Sequence, residues 1–142
     1  MILIVSYPGE EHTDRVQALL AQAGHEVVRI DLSDFPTRRE IEFGWNPEGR
    51  PRWRIAHEGG QVDLADARAA WWRRVIDFTV DPALGHGEGS SFAHSETSQA
   101  IHGMLDSLDC AWMNPPAADA AAHHKPFQWT IAQQLGLKLP RT

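Results

Sequence analysis

Two arginines follow two tryptophans in AWWRR, residues 70–74, and this is the densest run of recognition chemistry in the chain. A planar guanidinium suits a carboxylate or a phosphate, and in a strand Arg73 and Arg74 would face opposite sides of a sheet. The structural alternative is an ion pair with a helix carboxylate such as Glu96, or stacking on Trp. GHGEGSS, residues 85–91, precedes a helical stretch, where helix N–H groups could meet an anion. No Gly-Lys-Ser/Thr follows, so it is not a Walker A loop, and a mobile linker whose Ser90 or Ser91 caps the helix is the better reading. Eight histidines invite a metal, but His94 and His102 lie more than two turns apart, and His123 and His124, adjacent on a helix, would point about 100 degrees apart. Cys110, the only cysteine, reads as a packed thiol. There is no Gly-x-Ser-x-Gly elbow and no carboxylate cluster suited to Mg2+, so no catalytic residue is assigned.

The elements that position these residues follow from hydrophobic period. Met1 to Val5 is an apolar run ending at Tyr7-Pro8-Gly9, as in a strand buried on both faces. Val16, Leu19, Leu20 and Ala23 then fall at helical spacing, Gly24 offers a left-handed stop, and residues 26–30 form a second strand. Residues 1–31 therefore read as a βαβ unit with parallel strands. From Arg39 the pattern becomes a meander. Ile41, Phe43 and Trp45 alternate, Asn46-Pro47-Glu48-Gly49 turns, Trp53, Ile55 and His57 alternate, and Gly59-Gly60 turns again. Residues 69–75 return to the main sheet, and Ile101, Met104, Leu105 and Leu108 form the stripe of a long helix. DCAWMN, residues 109–114, reads as a buried strand, and Phe127, Ile131 and Leu135 mark a last helix that ends at Gly136. Leu137 to Pro140 then looks like the start of a further element. The fold class is α/β, a small mostly parallel sheet flanked by helices with an inserted antiparallel hairpin.

At 142 residues the chain is one domain in size, long enough to bury roughly two-thirds of its unfolded surface. A formal charge of -6 argues against nucleic acid as a partner, and the five-residue apolar start is too short for a membrane span or a secretion signal. A lone cysteine makes a reducing cytoplasm the simplest location. Arg38, Arg39, Arg50, Arg52 and Arg54 make the meander locally basic, so it could recognise an acidic peptide.

Three stretches in fixed order carry a resemblance: AWWRR; Phe92 with Glu96 at the opening of a helix; and WMNPP followed by Lys125-Pro126-Phe127-Gln128, Ala132, Gly136-Leu137, Pro140 and Thr142. Together they resemble the pre-ATP-grasp, MvdD-like amino-terminal domain of ATP-grasp ligases, of the graspetide (microviridin-type) peptide maturase or RimK-like group. The likeness covers essentially the whole chain and implies a Rossmann-like domain over residues 1–142, with the catalytic ATP-grasp domain expected after residue 142. It further implies a carboxylate-amine or carboxylate-hydroxyl ligase, using ATP and Mg2+ and acting on a precursor peptide through an acyl phosphate. This domain would pack on the ATP-grasp core, shape the substrate entrance and allow a homodimer, with no tight cofactor binding of its own. Lys125 aligns with a lysine near the nucleotide phosphates, and Arg73 and Arg74 with a Trp-Trp-Arg-Arg run, although Val75 stands where the family pattern has proline. The reading from another class is a free-standing, non-catalytic module that binds an acidic peptide or small anion.

Overall fold

The computed structural model describes residues 1–57 and 60–139. The Gly59 part of the second meander turn, and Pro140 and Thr142 of the tail, lie outside the described residues.

The apolar start forms β1 (Ile2–Val5), and Leu3, Ile4 and Val5 are fully buried, as an inner strand covered on both faces requires. Helix α1 (Glu11–Gln22) follows, Gly24 takes the left-handed conformation at its end (φ 82), and β2 (Val27–Ile30) completes the βαβ unit. Next come β3 (Ile41–Trp45), β4 (Pro51–His57), β5 (Gly60–Asp63) and β6 (Ala69–Trp72). Helix α2 (Glu88–Asp106), β7 (Ala111–Met113), α3 (Pro116–Ala122) and α4 (Lys125–Gln134) close the described chain. One sheet has the order β2-β1-β6-β7 with every pair parallel, and the other is antiparallel with the order β3-β4-β5. The α/β class with a mostly parallel sheet is therefore the observed architecture, and the insert carries a third strand beyond a simple hairpin.

Both sheets feed one core. The period-2 alternation of the insert puts Ile41 opposite Ile55 and Phe43 opposite Trp53, so one face of it is apolar along its length. Ile55, 1% exposed, and Leu64, fully buried, pack with Leu3, Val28, Met104 and Leu105 in a single cluster. The predicted α2 stripe is buried as expected, with Leu108 just past the helix end. Asp63 ties the far side of the insert together. It accepts from Arg52 Nε at 2.6 Å, from the Trp53 amide at 2.9 Å and from the Ala65 amide at 3.1 Å.

Several local expectations are corrected. The strand expected over residues 69–75 stops at Trp72, because Arg74 turns left-handed (φ 46) and takes the backbone out of the ladder. Helix α2 starts before Ser90 and Ser91. Its N-cap is Gly87, and the two serines lie inside the first turns with Glu88, whose charge suits the helix start. The strand in DCAWMN has three residues at the sheet's edge, with Met113 61% exposed, so it is not buried. The α1 stripe is only partly covered. Val16 and Leu20 are half-buried while Leu19 and Ala23 are exposed, since the helix sits over the edge strand β2. The Ala-rich helix α3 has no counterpart in the hydrophobic pattern. It places His123 at its own C-cap and His124 at the N-cap of α4, so the two do not share a helix. Phe127 and Ile131 do lie on α4 and Leu135 is its C-cap, but all three face outward, and residues 137–139 have no regular structure.

Candidate functional site

All four parallel strands end at one edge, where sheets of this kind meet ligands. Two adjacent strands end there on non-glycine residues in the left-handed region, Arg74 (φ 46) after β6 and Asn114 (φ 54) after β7. That conformation costs about 1–2 kcal/mol for an ordinary L residue and less for Asn. Both residues line one cavity of about 420 Å³, together with Trp72, Arg73, Asp119 and His123. Its wall is held by polar contacts. Trp72 Nε1 donates to Asp119 Oδ2 at 3.1 Å, Asn114 Nδ2 reaches the Trp72 carbonyl at 3.5 Å, and His123 Nδ1 lies 2.7 Å from the Asp119 carbonyl.

The two predicted arginines thus lie together at the carboxyl edge, beyond the strand rather than on opposite faces of it. Arg74 is exposed and makes no ion pair among the described residues. Arg73 is anchored by its amide, which donates to the Val5 carbonyl at 3.0 Å, and its Nη2 lies 3.9 Å from Glu10 Oε1. Its acidic neighbour is therefore Glu10, not Glu96. Glu10 caps α1 and is 3% exposed, with Oε2 accepting from the Thr13 amide at 2.8 Å and Oε1 3.1 Å from His12 Nδ1.

Burial alone would push the Glu10 carboxyl up, but the Thr13 amide, His12 and Arg73 together bring it below the ordinary carboxylate range. A carboxyl depressed in the fold stabilises it fully above the unfolded value of about 4.3, and that contribution is lost as pH falls through the folded value. Asp63 shifts the same way. Its burial is outweighed by Arg52 and by the Trp53 and Ala65 amides. Melting temperature should therefore fall on acidification below about pH 4.3, and less steeply in Glu10→Gln. An unchanged acid slope in that variant would contradict the assignment.

Lys125, the first residue of α4, is exposed, with Nζ 3.3 Å from Gln128 Oε1, and it does not line the cavity. The basic meander is largely neutralised. Arg38 Nε and Arg39 Nε hold Asp34 at 2.9 and 3.1 Å, Arg52 holds Asp63, and Arg54 lies 3.5 Å from Glu42. A larger cavity of about 820 Å³ lies between α1, the end of β2 and β4. Three arginines (29, 38 and 39) and three aspartates (14, 31 and 34) line it, so its formal charge balances.

The histidines are drawn apart. His94 Nε2 pairs with Asp77 at 3.0 Å, while His102 lies between the Trp72 and Phe78 rings with Nδ1 2.9 Å from the Ser98 carbonyl. Among the described residues no group of three His, Cys, Asp or Glu side chains could hold a metal ion, and no helix is long and apolar enough to cross a membrane. Cys110 packs against the core, and burial, then Asp109, push its thiol up.

The family described as the MvdD pre-ATP grasp domain matches residues 1–120. The chain belongs to that family. A solved Chryseobacterium gregarium RiPP-associated ATP-grasp ligase, in complex with ADP and a leader and core peptide, superposes with a TM-score of 0.84 at 21% identity, covering 99% of this chain and 42% of that one. At that identity the likeness speaks for the fold. The macrocyclase MdnC from Microcystis aeruginosa MRC, bound with precursor peptide MdnA, superposes with a TM-score of 0.81 at 26% identity, covering 99% of this chain and 45% of that one. A protein described as a beta-hexosaminidase, from Nitrosospira multiformis, is 30% identical over 118 residues, covering 73% of this chain and 33% of that protein. This pre-ATP-grasp domain spans less than half of those solved proteins and a third of the hexosaminidase. Lys125 and all of α4 lie beyond the family match, within the region that the solved folds share.

Sequence reasoning missed Glu10, Asp63, Asn114 and Asp119. Glu10 carried one usable signal, an acid three residues before Thr13 at a helix start, which is the spacing of an N-cap contact. The others depend on strands meeting across the sheet or on an unforeseen helix.

Proposed function

We propose that this pre-ATP-grasp domain is the amino-terminal part of an ATP-dependent carboxylate-amine or carboxylate-hydroxyl ligase that acts on a peptide through an acyl phosphate. The observation that carries this reading is the fold-wide likeness, over 99% of the chain, to ligases solved with bound precursor peptide, joined to the family match. A catalytic ATP-grasp domain would follow residue 142, supply the site for ATP and Mg2+, and operate in the cytoplasm. This chain would hold no nucleotide tightly by itself. The first turn of α1, a natural phosphate position, is filled by the Glu10 carboxylate and flanked by Glu11 and Asp14.

The roles left to this chain are binding and orientation. Arg74, exposed at the cavity mouth, and Arg73 beside it would contact a carboxylate of the peptide, helping to shape the entrance. Lys125 would reach nucleotide phosphates held by the catalytic domain. The exposed apolar side of α4 would pack on the ATP-grasp core, and a homodimer is compatible with this arrangement. The reading as a free-standing acidic-peptide module loses its main support, because Arg52 and Arg54 already have acidic partners.

Calorimetry provides the test. Residues 1–142 alone should show no Mg-ATP binding, and the polypeptide extended through the ATP-grasp part should bind it and consume ATP with peptide. Tight Mg-ATP binding by residues 1–142 would overturn this division of labour. In the extended protein, Arg73→Ala or Arg74→Ala should raise the KM for peptide about ten- to hundredfold, the loss expected for one charge-assisted hydrogen bond. Unchanged peptide KM in both variants would remove the arginines from the site.

A further inference from the structure

In parallel α/β sheets the loop after the first strand and the start of the following helix present unpaired N–H groups to an anion. Here the corresponding position holds a side chain of the chain itself. Glu10 Oε2 takes the Thr13 amide at 2.8 Å, Thr13 Oγ1 donates back to the Glu10 carbonyl at 3.0 Å, and the whole side chain is 3% exposed. The cation comes from a neighbouring strand. Val5 of β1 pairs with Trp72 of β6, which sets Arg73 beside this loop with Nη2 3.9 Å from Glu10 Oε1. Two further polar groups at this edge are buried without a partner among the described residues: Ser6 Oγ, on a residue 1% exposed, and Arg73 Nε.

We propose that the Glu10 carboxylate is a resident ligand, filling an anion site built from the first turn of α1 and Arg73 and thereby closing it to phosphate-bearing molecules. A helix amide, a guanidinium from another strand and near-complete burial are what a bound phosphate oxygen would require, and a carboxylate oxygen satisfies them. Co-occupancy fails on charge, because a second anion would meet Glu10 at contact distance, with Glu11 and Asp14 in the same turn. The inference concerns this chain's own fold and goes beyond the ligase reading. A pre-ATP-grasp domain that never meets a ligase would show it equally.

The experiment uses the 142-residue chain and inorganic phosphate, followed by amide NMR. Glu10→Gly removes the carboxylate and leaves the Thr13 amide free, and glycine is tolerated at a helix N-cap. The expected result is a saturable phosphate shift at the Thr13 amide, with affinity at least tenfold above the unsubstituted chain, and loss of that gain when Arg73→Ala is added. Glu10→Gln keeps the volume and an acceptor while dropping the charge, and should gain to a smaller degree even if the glycine variant folds poorly. A Thr13 amide that ignores phosphate in a folded Glu10→Gly chain, or in a folded Glu10→Gln chain where the glycine variant does not fold, would overturn the proposal. So would an unsubstituted chain that responds as strongly, or shifts that fall elsewhere on the surface and spare Thr13.

Discussion

Asp63→Ala is expected to lower folding stability by about 2–4 kcal/mol, the cost of withdrawing a mostly buried carboxylate from a cation and two amides at once. Its side chain is 8% exposed, whereas Arg52 is 40% exposed, so solvent compensates part of the cation's loss but little of the loss at the Trp53 and Ala65 amides. Asp63→Asn, which keeps one acceptor, should cost less than half as much. Denaturant midpoints give the totals, and hydrogen exchange should show β4 and β5 opening before the parallel sheet. A cost below about 1 kcal/mol for the alanine variant would mean that the insert is held by its apolar face alone.

The second large effect depends on context. Phe127 of α4 is 51% exposed and Leu135, the C-cap of that helix, 72%, and the helix touches chiefly α3. Replacing both by aspartate should leave residues 1–142 within about 0.5 kcal/mol of their original stability, as exposed positions do. In the polypeptide extended through the ATP-grasp part, the same pair should cost about 3–6 kcal/mol, because each side chain buried against a partner contributes about 1.5–3 kcal/mol. Parallel thermal unfolding of the two forms checks this. Equal effects in both would show that α4 does not pack on the ATP-grasp part.

Much of the framework was legible because period reports on it directly. The β1 run is covered on both faces and the stripe through Met104 and Leu105 is buried, while the alternation of Ile41, Phe43 and Trp45 marks an apolar face that stays largely exposed. Period is silent about partners. The stripe on α4 has the same spacing whether it meets a sheet or water, and the apolar residues of β7 do not reveal that it is an edge strand. Arg74 carries no sign of its left-handed backbone, since the usual marker is glycine. Arginine count also misled at the insert, where the neutralising acids, Asp34, Glu42 and Asp63, are scattered along the chain and meet the cations only after folding. The arginine pair of the cavity was readable from residue type, but its anionic neighbour Glu10 was not, because that contact exists only through β1-β6 pairing.

Helix α3 supplies one wall of the cavity through Asp119 and His123, and its far end runs into α4 through a short connection, His123 and His124. The indole of Trp72 and the outward apolar side of α4 are therefore one helix apart, linked by the hydrogen bond from Trp72 to Asp119. Geometrically, α3 stands between the two, so whatever packs on α4 lies one short helix away from the cavity wall beside Arg73 and Arg74.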